Sequence, residues 1–144
     1  MKISTKGRYA LRLMLDIALH PDEAPVSLGD VSRRQEISVK YLEQLVSPLT
    51  RAGLLRSVRG AGGGYLLTRE PCDYTAGEIL RTLEGSMAPV SCCDSGECCD
   101  HKDICVTIDL WRDIQTAVDS VVNAVTLQDL VEKYYVKQAA VAHR

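Results

Sequence analysis

Five of the six cysteines, Cys92, Cys93, Cys98, Cys99 and Cys105, fall within fourteen residues, while Cys72 stands apart. Thiolates are soft ligands suited to iron–sulfur clusters, zinc or copper. Structural zinc usually sits in paired Cys-x-x-Cys knuckles, and none occurs in this chain. Cys93, Cys99 and Cys105 instead recur with five residues between successive members. Clustered thiols in a cytosolic chain point to a metal or redox site rather than a disulfide framework. A disulfide switch without metal is the competing reading. Cys72 reads as a small residue with no role to assign. The three histidines, His20, His101 and His143, are scattered, and no acid–base pair is visible for a small thiol or iron–sulfur redox enzyme.

A second constellation is Arg59-Gly60-Ala61-Gly62-Gly63-Gly64. A phosphate-cradling nucleotide loop would end in Gly-Lys-Ser/Thr and open a helix; here Tyr65-Leu66-Leu67 follows, which is strand-like. The run therefore reads as a hairpin tip from which Arg59 projects free of crowding, a shape and charge suited to a narrow minor groove. Upstream, Ser38, Lys40, Tyr41, Glu43 and Gln44 lie near the start of an amphipathic helix. Gln44 is suited to adenine, Glu43 to cytosine, and Lys40 or Ser38 to phosphate or base. Charge is divided accordingly. Residues 1–69 carry eleven Lys and Arg against six Asp and Glu, a net of +5, and residues 70–144 carry six against thirteen, a net of −7. A basic front half attracts a polyanion and an acidic rear half resists one.

Those residues need elements to hold them. From Lys6 to His20, Arg8, Arg12, Asp16 and His20 recur every four residues, giving a deeply packed helix with a narrow solvent stripe along which Arg12 and Asp16 can pair. Ser27 and Asp30 form a capping box that opens a short helix to about Gln35. Ser38 caps a third helix whose buried stripe is Leu42, Leu45, Val46 and Leu49. Pro48 kinks its last turn and Gly53 suits its C-terminal cap. Strands at Leu54–Val58 and Tyr65–Thr68 flank the glycine run. Helix, short helix, turn, amphipathic helix and hairpin is the order of a winged helix-turn-helix. Thr75 and Glu78 box a helix through Leu83 that stops at Gly85. Residues 86–104 form a loop holding the cysteines. A long helix runs from about Val106 to Ala124 or Val125, its stripe of Trp111, Ile114, Val118, Val121 and Val125 widened by Leu110, Ala117 and Val122. Thr126 and Asp129 cap a final helix through Tyr135, and the tail from Lys137 has little to bury.

Ser4-Thr5-Lys6-Gly7-Arg8-Tyr9, Tyr41-Leu42-Glu43-Gln44-Leu45 and Ser57-Val58-Arg59-Gly60 with Gly62-Gly63-Gly64-Tyr65 resemble the IscR/NsrR/CymR family of bacterial regulators, over nearly the whole chain to Tyr135. The resemblance implies a dimeric winged-helix protein on a pseudo-palindromic operator, with the third helix in the major groove and Arg59 and Gly60 of the wing at the minor groove. Iron–sulfur members of the family carry three cysteines immediately before a Leu-Trp-Arg-Asp-like helix start, here Leu110-Trp111-Arg112-Asp113. That alignment implies Cys93, Cys99 and Cys105 as ligands of a [2Fe–2S] cluster. Two departures leave the fourth ligand open. The IscR branch uses a histidine where this chain has Ile108, and the nitric-oxide-sensing branch uses an acidic residue where it has Arg8. His101, Asp103, Cys92 and Cys98 are the alternatives.

The expected fold is thus mainly α (α+β), a winged helix-turn-helix with a long C-terminal dimerisation helix. Residues 1–69 form the DNA-binding domain, 70–90 a connecting helix and linker, 91–105 the cysteine loop, 106–136 the dimerisation and C-terminal helices, and 137–144 a disordered tail. The wide apolar stripe of the long helix independently suits a second copy, against the plainer reading that it packs back on its own domain. The expected function is a DNA-binding repressor of iron–sulfur biogenesis genes, modulated by its cluster. A CymR-like repressor of sulfur metabolism or a nitric-oxide or redox sensor is the alternative. The implied partners are an operator duplex, a second copy and cluster-donor proteins. The acidic loop residues Asp94, Glu97, Asp100 and Asp103 are expected to keep that site away from DNA. No run approaches the roughly eighteen apolar residues of a membrane span, and the first residues lack an apolar secretion segment, so the expected location is the cytoplasm.

Overall fold

The computed structural model describes residues 1–21, 24–94 and 99–144. Helices α1 (Thr5–Ala18), α2 (Leu28–Gln35) and α3 (Val39–Arg51) precede a hairpin of β1 (Leu55–Val58) and β2 (Gly64–Leu67). A 3-10 turn at Pro71–Asp73 leads to α4 (Ala76–Glu84). A second, at Ser91–Cys93, precedes α5 (Ile108–Ala124) and α6 (Leu127–Ala142). This is the winged helix-turn-helix followed by a long helix. One core serves the front of the chain: Leu13 and Met14 of α1, Leu42, Leu45 and Leu49 of α3, and Tyr74, Ile79 and Leu127 from further along.

The helix starts follow from their caps. The Ser27, Ser38, Thr75 and Thr126 hydroxyls accept from the amides of Asp30, Tyr41, Glu78 and Asp129, each satisfying a donor with no intrahelical partner. Only Thr126 and Asp129 form the full reciprocal box. Of the other three, Ser38 has Tyr41 in place of an acid, and at Ser27 and Thr75 the acid is drawn elsewhere, Asp30 to Arg33 and Glu78 to Arg69. Glu36 ends α2 in a left-handed conformation, φ 55°.

Asp16 is where the simple stripe fails. It does not pair with Arg12 on a solvent face; α2 lies over it and leaves it 1% exposed. Its carboxylate accepts from Arg34 Nη2 at 2.7 Å and from Gln35 Nε2 at 3.0 Å. Arg12 lies over the Tyr9 ring and bonds Gln35 instead. Periodicity locates a face of one helix but not the neighbour that covers it. The result ties α1 to the last residues of α2, at the elbow from which α3 departs.

The wing is antiparallel, with Leu55 opposite Leu67 and Val58 opposite Gly64. Val26, between α1 and α2, adds a bridge to Tyr65 through two backbone bonds, 3.0 and 2.9 Å. A Cβ on Gly64 would come within 2.3 Å of the Val26 carbonyl, which fixes the residue there as glycine. The wing's base is held by Tyr74, fully buried, whose hydroxyl accepts from the Thr68 amide at 2.8 Å and the Arg69 amide at 3.1 Å. It donates to the Leu54 carbonyl at 2.8 Å.

The rear helices close on the same core. The Ala76 amide donates to Val125 and the Leu127 amide to Tyr74, so α4 and α6 start side by side. α5 packs on α4, where Arg81 bonds Asn123 at 2.7 Å and Asp119 at 2.6 Å. α5 begins at Ile108 rather than Val106. α6 continues to Ala142, past the expected end at Tyr135 and through the segment expected to be disordered, although residues 132–144 are exposed.

Candidate nucleic-acid interface and thiol loop

The amphipathic split of α3 sorts its side chains by function. Leu42, Leu45, Val46 and Leu49 are buried, while Ser38, Lys40, Glu43, Gln44 and Ser47 are exposed on the other side. Tyr41 departs from this set. It is half-buried and meets Tyr9 edge-to-face at 5.5 Å between ring centroids, so much of its ring is spent on positioning α3 against α1. Beyond the α3–β1 turn, Arg59 and Gly60 are exposed at the hairpin tip. Gly60 at φ 102° and Gly62 at φ 77° supply the conformations the tip needs. Between α3 and the wing runs an open groove lined by Glu43, Ser47, Arg51, Ser57 and Tyr65. Arg51 and Ser57 were not singled out from sequence, because membership of this groove depends on how the hairpin folds back beside the helix. Exposed Arg56 adds to the positive charge of β1.

The thiols are arranged differently. Cys92 and Cys93 lie in the 3-10 turn, and both are half-buried, as are Cys99 and Cys105. Partial burial pushes the Cys92 thiol up from its ordinary value, and repulsion from Cys93 and Cys99 pushes the same way, which places these three thiols within each other's influence. Cys105 sits apart, just before α5. A 3.4 Å contact with the Thr107 hydroxyl, then backbone amides there, pull its thiol down. Among the described residues no group of three or more His, Cys, Asp or Glu side chains converges where it could hold a metal ion. The donor chemistry of these thiols suits an iron–sulfur group. Of the fourth-ligand alternatives, His101 and Asp103 are exposed, Cys92 is beside Cys93, and Cys98, like Glu97, lies outside the described residues. Ile108 is buried, and Arg8 is exposed and bonds Thr5.

The loop's start rests on the α4–α5 joint: Cys93 and Asp94 share a cleft with Arg81, Gly85, Gln115 and Asp119. Hydrogen bonds from Gln115 and Arg81 hold the Asp119 carboxyl below its usual range. The outer side of α5 is apolar and open. Ala117, Val118, Val121 and Val122 form a groove with Ile3, Leu80 and Met87, and Leu110 and Val121 are more than half exposed. Among the described residues, no helix is long and apolar enough to cross a membrane.

Comparison with known proteins gives concordant results. Residues 3–133 match the Rrf2 family model, described as iron-dependent transcriptional regulator. The HTH-type transcriptional regulator IscR of Serratia proteamaculans is 44% identical over 131 residues, 91% of this chain and 79% of that protein. Among solved structures, CymR, the global cysteine regulator of B. subtilis, superposes with a TM-score of 0.77 at 44% identity, covering 92% of this chain and 98% of that one. T. potens IscR gives 0.76 at 41%, covering 93% and 88%.

Proposed function

The chain belongs to the Rrf2 family of transcriptional regulators, and from that premise we propose that it is a homodimeric repressor of iron–sulfur biogenesis genes whose operator affinity responds to a [2Fe–2S] cluster. The observation that carries the DNA-binding part is the sorting of α3, whose Lys40, Glu43 and Gln44 face solvent beside the wing that ends in Arg59. In this reading Ser38 and Lys40 engage phosphate or base, Glu43 and Gln44 read base edges in the major groove, and Arg59 with Gly60 enters the minor groove. Tyr41 orients α3 through Tyr9. Two copies pair through the open apolar side of α5, matching a pseudo-palindromic operator.

Cys93, Cys99 and Cys105 would hold the cluster, with the fourth position filled from His101, Asp103, Cys92 or Cys98. When bound, an iron–sulfur group supplies a centre that oxidants, nitric oxide or cluster-donor proteins can remove, alter or replenish. The protein's part is to bring Cys105, at the head of α5, toward Cys93 and Cys99 at the α4–α5 joint. Ordering that segment biases how the two winged domains sit, a coupling typically of about 1–3 kcal/mol. The likeness to CymR favours one second reading, a repressor of cysteine metabolism. The five clustered cysteines weigh toward the first.

The test is purification without oxygen, followed by iron analysis, a visible spectrum and binding to genomic fragments at several salt concentrations. A coloured, iron-bearing dimer whose affinity for chosen fragments falls steeply with salt is expected. A colourless protein that still selects fragments would move the assignment to the second reading. A protein that selects none would remove both.

A further inference from the structure

The N-terminus of α1 is capped from a distance. Ser4 occupies the cap position, but its hydroxyl accepts from no amide of the first turn. Instead one oxygen, Oε1 of Glu84, accepts from the Ser4 amide at 2.8 Å, the Ser4 hydroxyl at 2.7 Å and the Gly7 amide at 3.1 Å. A carboxylate there satisfies orphan donors and complements the positive end of the helix dipole. The approach is close enough to dictate a residue: a Cβ on Gly7 would sit 2.4 Å from that oxygen.

Glu84 is also the last residue of α4, so its charge lies at the negative end of its own helix, which is unfavourable in isolation. The residue serves α1 at the expense of α4. Immediately after it, Gly85 at φ 73° turns the chain into the segment that carries the cysteines. Gly85 and Cys93 line one cleft, walled by Arg81 of α4 and by Gln115 and Asp119 of α5. A movement of the loop's first residues therefore reaches the Glu84 carboxylate across one peptide unit. From there α1 carries it to Asp16 and Arg12, which hold Arg34 and Gln35 at the elbow before α3.

We propose that Glu84 is a positioning residue that couples the cysteine loop to the DNA-reading head by capping α1. This rests on the DNA-binding reading above but not on the identity of what the thiols bind. Because such coupling is reciprocal, it is measurable from the DNA side in the metal-free protein.

The experiment uses the full chain, reduced and stripped of metal, and a duplex selected from random sequence for binding to wild type. The alkylation rate of Cys93 and Cys99 by N-ethylmaleimide is measured with and without saturating duplex. In wild type the two rates are expected to differ about fivefold or more, the lower end of typical coupling. In E84A the ratio is expected to fall near one, although the duplex still binds. A loss of stability alone would speed alkylation with and without DNA and leave a ratio. E84Q keeps an acceptor oxygen but loses the charge that makes such bonds roughly twice as strong in energy, so its ratio should fall between that of wild type and one. It decides the matter if E84A does not fold. An unchanged ratio in E84Q, or a wild-type protein that binds duplex with no change in alkylation, overturns the proposal while leaving the function intact. A wild-type protein that selects no duplex overturns the function, and the coupling falls with it.

Discussion

The reading head and the thiol loop are linked through α4 yet are built on opposite terms. In the head, α1 and α3 bury most of their apolar residues in one core, and the wing is bonded at its base by Tyr74 and at its side by Val26. In the segment 86–107, Met87 is the one buried residue among those described. A head of this kind takes its shape from burial and satisfied backbone groups and needs no ligand. The described residues of the loop bury far less apolar surface to offset the entropy of fixing their chain, and the proposed cluster would supply what that burial does not.

That contrast can be broken or sharpened by substitution. Leu42→Ala, at a fully buried position of α3, should cost about 2–5 kcal/mol in urea unfolding; a much smaller loss would mean the head is not a packed unit. Tyr74→Phe strips three backbone partners of a buried hydroxyl and should cost about 2–4 kcal/mol, with faster amide exchange at Thr68 and Arg69. Slow exchange there would place the wing's anchor elsewhere. Arg59→Ala, at the exposed tip, should leave unfolding unchanged while weakening duplex binding by about 1–3 kcal/mol; equal binding would remove the wing from the interface.

Two smaller effects test the joint and the loop. Asp119 is held below its usual range by Gln115 and Arg81, so its contribution is present above the unfolded carboxyl value, about 4. It is lost as pH falls through the lower folded value. Asp119→Asn should flatten that part of the acid limb in pH-dependent unfolding, and an unaltered limb would show that the bonds to Arg81 carry no net stability. The triple change Cys92→Ser, Cys93→Ser and Cys99→Ser in metal-free protein should shift unfolding by less than about 0.5 kcal/mol. A loss of several would reveal a loop with a core of its own.

Much of the head was legible because local rules and the global fold agree there. The caps at Ser27, Ser38, Thr75 and Thr126, the α3 stripe and the glycine tip are each readable within a few residues. What escaped depends on partners distant in sequence. Asp16 looked exposed because nothing local says that α2 covers it, and Glu84 reads as one more acid until α1 is laid beside it. Val26 pairing with Tyr65 is likewise a tertiary event. The final helix outran its expected end since its outer half buries little that a core-based argument can count. At the cysteines the types and spacing were plain, but choosing a fourth donor requires a loop geometry that sequence does not specify.

The single phenol at the root of the hairpin has a consequence for discrimination. By bonding Leu54 before β1 to Thr68 and Arg69 after β2, Tyr74 fixes the seat of the wing before any duplex arrives. In the proposed DNA-bound state, a wing seated this firmly would leave the adjustment to the duplex. Sequences that narrow or flex cheaply between the Gln44 and Arg59 contacts would then be favoured, even at base pairs that no side chain touches.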